Sequence, residues 1–193
     1  MTKVILLKEL KAFTSAVTGD LLLPVRPSEE DETPPPPRPP GVYRMRLPKL
    51  RDAERKAPYI LHQVITGKDI QAAGMKVPEA SAVVRTVFCV YNENEEEGAL
   101  ALLNLMERLR IALLEQVVVG NQFKLDLKAG LESLVYPEDA MQRSAPYYLG
   151  ETLSVWNLPG IERKVLYGEK GNSNIRPGGS GPHGPGPRGG GQG

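Results

Sequence analysis

Residues 83–115 read VVRTVFCVYNENEEEGALALLNLMERLRIALLE, and this stretch decides the fold. It opens with a strand pattern that is apolar on both faces, which is typical of a central strand covered on both sides. An acidic turn follows, and then a long amphipathic helix that we predict over residues 97–116. The apolar arc of this helix is wide, because Leu103 and Leu114 extend it. We therefore expect the helix to cover a sheet and also to touch a second surface.

The acidic turn carries the glutamates Glu93, Glu95, Glu96 and Glu97. Carboxylates at the start of a helix interact favourably with its dipole, by about 0.3–1 kcal/mol each at most. A divalent-cation site is the alternative, but nothing spaces these carboxylates around one point as a calcium loop does. The pattern therefore predicts the beginning of a helix and no metal site.

The composition divides the chain into four parts. Residues 1–20 contain an N-terminal helix that we predict over residues 3–18, with its apolar residues on one face. Residues 21–56 are a proline-rich linker or arm, in which the prolines favour polyproline II. Residues 57–167 are the core domain. Residues 168–193 are a Gly/Pro-rich tail with too few apolar side chains to fold, so we expect it to be disordered.

Three interpretations of the proline-rich segment are open. It is a semi-rigid linker or long loop, an arm that orders against a neighbouring subunit, or a docking motif for a proline-binding domain. The sequence favours the linker, because the segment separates a short helix from the folded body.

The core domain shows further strand patterns after its first strand. We predict strands at residues 59–65, 82–91, 123–127, 131–136 and 147–157. Strands that follow one another with few helices between them favour an α+β fold. The expected architecture is a small, mainly antiparallel sheet covered by one long helix, with the N-terminal helix outside it.

Charge and composition exclude several classes of function. The 193 residues carry 24 basic and 23 acidic side chains, so bulk charge attracts neither nucleic acid nor a membrane surface. The apolar run near the N-terminus is too short for a signal peptide or a membrane span. Cys89 is the only cysteine and lies in an apolar strand, where a buried reduced thiol is expected. We expect no membrane partner, no sequence-specific nucleic-acid partner and a cytoplasmic site of synthesis.

We find no pattern that carries catalysis. His62 is the only histidine of the core domain and alternates with Ile60 and Val64, which favours a structural histidine over a catalytic base. No Gly-x-Ser-x-Gly elbow occurs, and the body has no Walker or Rossmann glycine spacing. We therefore predict no enzyme, no catalytic residue, no cofactor and no metal.

The candidate interface residues are Trp156, Arg108, Arg110 and Tyr91. Trp156 lies on the polar face of the last strand, where it is either an interface anchor or satellite core under the following turn. Arg108 and Arg110 project from the long helix and are either solvated or paired with acidic residues of a neighbour. Tyr91 lies on the second apolar face of the central strand.

Several segments together resemble the tail terminator, or tail completion, proteins of long-tailed bacteriophages. They are Ala57-Pro58-Tyr59, FCVYNENEEEGALALLNLMERLRIALLEQ, FKLDL and APYYLGETLSVWNLPGIERKV. Their order and spacing carry the resemblance, which covers roughly residues 57–165.

The resemblance implies a structural virion protein and a homo-oligomeric ring, usually a hexamer. Such a ring caps the tail tube protein, stops its polymerisation and joins the tail to the head-tail connector proteins. It also implies a location in the virion tail or neck, after assembly in the host bacterial cytoplasm. The proline-rich insertion and the Gly/Pro tail are longer than the family pattern. These two segments are either virion-specific arms or signs that the protein is another neck or tail-completion subunit. The alternative from a different class is a cytoplasmic protein-binding module that uses the proline-rich segment.

Overall fold

A computed structural model describes residues 2–28, 33–48, 56–71, 77–136 and 145–161. Within these ranges the chain has mixed helix and strand content. The elements in chain order are α1 (Lys3–Thr18), β1 (Gly41–Arg44), β2 (Tyr59–Ile70), β3 (Glu79–Tyr91), α2 (Glu95–Gln116), β4 (Val118–Val119), β5 (Phe123–Leu125), β6 (Leu131–Val135) and β7 (Tyr147–Leu158). The predicted tail, residues 168–193, lies outside the described residues.

The strands form one curled sheet in the order β1-β2-β3-β7-β5-β4, and β6 also pairs with β7. β1 runs parallel to β2, whereas the other strand pairs are antiparallel. The expected antiparallel sheet under one long helix is not confirmed. The sheet is mixed because β1 joins it in parallel, and α1 packs against β1 and β2 while α2 packs against β3 and β7.

β1 comes from the proline-rich segment, where the sequence predicts no strand. Its approach is fixed by Arg38, whose Nη2 donates hydrogen bonds to the carbonyl oxygens of Lys56 (3.0 Å) and Ala57 (3.2 Å). The backbones of Leu23 and Arg38 also exchange two hydrogen bonds of 3.0 Å. These contacts dock the described part of the segment on the core and bring Gly41 beside the start of β2.

α2 has the capped beginning that the acidic turn predicts. The side chain of Asn94 accepts a hydrogen bond from the backbone N–H of Glu97 at 3.1 Å, which satisfies one of the free donors of the first turn. The helix ends where Val117 takes a positive φ of 55° and donates its N–H to the carbonyl of Leu113. A β-branched residue rarely adopts this backbone conformation, so the helix end is strained there.

The main core lies on one face of the sheet, which we call the inner face. In β7 and in most of β3, every second side chain is buried on this face. Both helices add their buried side chains to the same cluster. Its large members are Leu6, Leu7 and Leu10 of α1, Leu102, Leu105, Met106, Leu109 and Leu113 of α2, and Val84, Phe88, Val90, Tyr148 and Trp156 of the sheet.

Two glycines allow α2 to approach the sheet closely. A Cβ at Gly98 would overlap the ring of Tyr148, and a Cβ at Gly150 would lie 2.6 Å from the sulfur of Met106. The helix and strand pack at this distance only because both positions lack side chains.

Candidate interaction surfaces

His62 is the most deeply buried titratable group among those with a shifted pKa. Its Nε2 lies 2.9 Å from the hydroxyl of Thr14 on α1, and its Nδ1 lies 2.9 Å from the hydroxyl of Thr86 on β3. Burial lowers the pKa of His62 from 6.5 to about 4, so the ring is neutral at physiological pH. Both ring nitrogens are satisfied by hydroxyls, and the group ties α1 to two strands. This is the arrangement of a structural histidine.

The acidic turn is spread out rather than gathered around a point. Glu93 accepts a hydrogen bond from the hydroxyl of Tyr91 at 2.8 Å, while Glu95, Glu96 and Glu97 are exposed on the first turn of α2. Within the described ranges, no group of three His, Cys, Asp or Glu side chains is arranged to hold a metal ion.

Trp156 lies in the core, not on an interface. Its side chain is 0% exposed, and its indole Nε1 donates a hydrogen bond to the Ser154 hydroxyl at 2.9 Å. That hydroxyl in turn donates to the carbonyl of Val84 at 3.3 Å. The expectation of an exposed anchor is corrected because the face of β7 that is polar in the sequence packs inward, where Ser154 and Thr152 find hydrogen-bond partners on neighbouring strands. The alternative, a tryptophan in satellite core under the following turn, is correct in that Trp156 is buried, but Trp156 belongs to the main core cluster.

Tyr91 is also buried within the chain. It belongs to a smaller cluster with Ala57 and Cys89, and its ring packs on that of Tyr147 with the centroids 5.6 Å apart. Burial raises the pKa of the Tyr91 phenol to about 12. In this fold Tyr91 offers almost no surface to a neighbour.

The two candidate arginines have different roles within the chain. Arg108 donates through Nε to the carbonyl of Val17 at 2.8 Å and forms an ion pair with Asp20, so it fastens the end of α1 to α2. The Arg108 guanidinium also lowers the pKa of Asp20. Arg110 forms an ion pair of 2.7 Å with Glu107, and it lowers the pKa of that carboxyl. Arg108 is used internally, whereas the Glu107–Arg110 pair lies on the outside of α2.

The surface around that pair is apolar. We call Leu100, Leu103, Ile111 and Leu114 the α2 outer stripe; they fall on the side of the helix opposite its buried residues. Leu100 is 54% exposed and Leu103 is 47% exposed. Residues 21–24 run beside the N-terminal half of the stripe and leave an open groove of about 730 Å³, with Leu22 61% exposed. The stripe therefore consists of two exposed apolar pairs, Leu100 with Leu103 and Ile111 with Leu114, on either side of the Glu107–Arg110 ion pair.

The opposite side of the molecule is the outer face of the sheet. There the half-buried apolar side chains of β3 and β7 share one face by register, since Val83 pairs with Val155 and Cys89 pairs with Leu149. We define the sheet outer patch as Val83, Val87, Leu149, Leu153 and Val155. Both helices in the described part of the chain pack on the inner face, and neither covers this patch.

An ion pair also lies in the middle of the sheet outer patch. Arg85 is bonded to Glu151, and the Tyr136 hydroxyl lies 3.4 Å from the same carboxylate. The Glu151 carboxylate raises the pKa of Arg85, so the guanidinium stays charged. The pair satisfies both charges within the chain and leaves the patch around it apolar.

Sequence reasoning finds these surfaces only in part. The wide apolar arc that includes Leu103 and Leu114 predicts that the helix contacts a second surface besides the sheet. The sequence pattern does not identify Leu100, Ile111 or the Arg85–Glu151 pair as parts of these surfaces. The available signal for the pair is one basic residue in the otherwise apolar face of β3 and one acidic residue opposite it in β7.

Comparison with protein-family models and with curated proteins finds no match to this chain. A separate observation concerns membranes: among the described helices, neither is both long enough and apolar enough to span a bilayer.

Proposed function

We propose that this chain is a structural subunit of a bacteriophage virion, a tail terminator that forms a ring at the end of the tail tube. The ring stops growth of the tube and joins it to the head-side connector. The observation that carries the proposal is that apolar side chains lie on two opposite sides of the fold, exposed in the α2 outer stripe and partly exposed in the sheet outer patch. The resemblance of residues 57–165 to tail terminators supplies the class of assembly.

Two different apolar surfaces on one chain suit a ring better than a two-fold dimer. A two-fold contact uses the same surface on both subunits, whereas a ring uses one surface of each subunit against a second surface of the next. Apolar side chains that are grouped together on a protein surface mark sites of association. The two different surfaces therefore support head-to-tail association of the subunits, and we expect the ring to be a hexamer.

The other parts of the proposal follow from the same function. The subunit works without catalysis, cofactor or metal, and its partners are the tail tube protein, the head-tail connector proteins and further copies of itself. It is assembled in the bacterial cytoplasm and resides in the tail or neck of the particle. The proposal also includes a terminator-type core, in which one long helix chiefly covers a small sheet.

The test is to mix the purified full-length chain with polymerising tail tube protein and to examine the products by electron microscopy. We expect closed rings alone, tubes of limited length in the mixture, and a ring at one end of each tube. Tubes that grow to the same length with and without the chain, and that carry no ring, would contradict the terminator function. Rings located elsewhere in the neck would instead favour another tail-completion subunit.

A protein-binding module is the second candidate, and the proline-rich segment favours it. Pro34, Pro36, Pro37 and Pro39 are exposed, although Arg38 between them is bonded to the core. Substituting the exposed prolines by alanine leaves β1 and its anchor in place. Such a variant loses its partner if the segment is a docking motif and assembles normally if the chain is a terminator.

A further inference from the structure

The sheet outer patch is unusual because β7 buries its more polar face and directs its aliphatic side chains outward. The buried face carries Tyr148, Gly150, Thr152, Ser154 and Trp156, whereas the partly exposed face carries Leu149, Leu153 and Val155. Two of the inner hydroxyls are bonded to neighbouring strands: Ser154 donates to the Val84 carbonyl, and the Thr152 hydroxyl lies 3.3 Å from that of Ser133. Leu153 and Val155 on the other face therefore have no role in the main core of their own chain, while Leu149 packs against the smaller cluster of Ala57, Cys89 and Tyr91. The part of these side chains that is exposed to water is unfavourable by about 25 cal/mol for each Å².

We infer that the α2 outer stripe of one subunit packs on the sheet outer patch of the next copy of this chain. The inference rests on the proposed ring, and it names the two surfaces that make each contact. The contact is heterologous, so it repeats around a ring and uses each surface once per subunit.

The dimensions of the two surfaces match. The α2 outer stripe spans residues 100–114, which is about 21 Å at the rise of an α-helix. The sheet outer patch spans residues 149–155 along β7, which is about 20 Å at the rise of a strand. One helix laid along β3 and β7 covers the patch from end to end.

The charges of the two surfaces are complementary. Each surface has apolar residues at both ends and one ion pair between them, Glu107–Arg110 on the helix and Arg85–Glu151 on the sheet. When the helix lies on the patch in the direction that opposes Glu107 to Arg85, Arg110 opposes Glu151. All four charges are then adjacent to opposite charges. The reverse direction places like charges together, so the pairs select one orientation of the neighbour.

The test uses cysteine cross-linking of the full-length chain with a short thiol-specific reagent. One chain carries Leu103→Cys and the other carries Leu153→Cys, so that each surface of the proposed contact has one cysteine. The wild-type chain is the control, because its only cysteine, Cys89, is buried and burial raises the pKa of its thiol to about 12. We expect no cross-link in either variant alone and a covalent dimer when the two variants are mixed. A chain carrying both substitutions should give a ladder that ends at the number of subunits in the ring.

Several results would overturn the inference. Cross-linking of the Leu103→Cys chain to itself would show a two-fold contact between helices. Absence of the mixed dimer where the wild-type chain assembles, or a wild-type chain that stays monomeric at every concentration, would also contradict it. The outcome is separate from the terminator function: a cross-linked ring that does not limit tube growth overturns only the function. A tube-capping ring without the mixed dimer overturns only the contact.

Inverting the ion pairs tests the charge argument. Arg85→Glu with Glu151→Arg keeps the pair within the chain, as does Glu107→Arg with Arg110→Glu. Each inversion alone should leave thermal unfolding unchanged and weaken assembly at least tenfold, and the two together should restore it. If neither inversion alone weakens assembly, or if the two inversions together do not restore it, the proposed orientation is contradicted.

Discussion

The two sides of α2 carry the same residue types in opposite environments. Leu102, Leu105 and Leu109 are buried against the sheet, whereas Leu100 and Leu103 are about half exposed on the other side. The sheet shows a weaker form of the same contrast, because β7 buries a threonine, a serine and a tryptophan on one face and leaves leucines and a valine partly exposed on the other. Hydrophobicity therefore identifies which surfaces of the chain are unfavourable in water, but it does not identify whether the same chain or another one buries them. The inner surfaces hold the fold together, and our proposal is that the outer surfaces serve assembly.

The largest expected effect is the loss of a buried leucine of α2. Leu105→Ala should reduce the free energy of unfolding by about 2–5 kcal/mol, because it removes buried methyl groups and leaves a cavity. The matched control is Leu103→Ala, which should change the free energy of unfolding of the monomer by no more than about 0.5 kcal/mol. Urea unfolding at a protein concentration below assembly measures both. Similar losses in the two variants would show that the two sides of the helix are equivalent.

The buried histidine gives an effect of similar size that depends on pH. The pKa of His62 is about 4 in the folded chain and 6.5 in the reference state, so between these values the unfolded chain binds a proton that the folded chain does not. Its contribution to stability is complete above pH 6.5 and is lost as the pH falls towards 4, by about 3 kcal/mol in total. Urea unfolding between pH 7.5 and 5 measures the slope. The His62→Gln variant should lose this slope, and an unchanged slope would contradict the buried neutral histidine.

A smaller effect is expected where α2 touches the sheet. Helix propensity alone predicts that Gly98→Ala stabilises the chain by about 1 kcal/mol. We expect the reverse, a loss of about 1–3 kcal/mol, because the new methyl group overlaps the ring of Tyr148. The control introduces Gly98→Ala in a Tyr148→Ala chain, where the overlap is absent. Thermal unfolding is measured for the wild-type chain, the two single variants and the double variant. If Gly98→Ala changes stability equally with and without the Tyr148 ring, the close contact is disproved.

The sequence predicts the strongly periodic elements well, for physical reasons. β3, α2 and β7 each bury one regular set of side chains, so their patterns of period two or 3.6 mark them without knowledge of their partners. Asn94 and the glutamates after it likewise mark the start of α2 through local hydrogen bonding and the helix dipole.

Non-local contacts explain what the sequence does not predict. β1 is a strand because Arg38 and Leu23 dock its segment on distant residues, and no local pattern in Gly41–Arg44 indicates this. The orientation of β7 depends on hydroxyls that find partners on another strand, so Trp156 is buried on a face that looks polar. The Arg85–Glu151 pair joins residues 66 positions apart. Its existence requires the strand register, which the sequence alone leaves open.

The most direct test of the account is sedimentation velocity of the wild-type chain beside a variant with Leu103→Gln and Leu114→Gln. Glutamine has a helix propensity close to that of leucine, so these exposed changes should alter stability by no more than about 0.5 kcal/mol. We expect the wild-type chain to sediment as one closed oligomer and the variant to sediment as a folded monomer with the same unfolding temperature. Identical sedimentation of the two chains, whether as monomers or as oligomers, would contradict the claim that the α2 outer stripe assembles the protein.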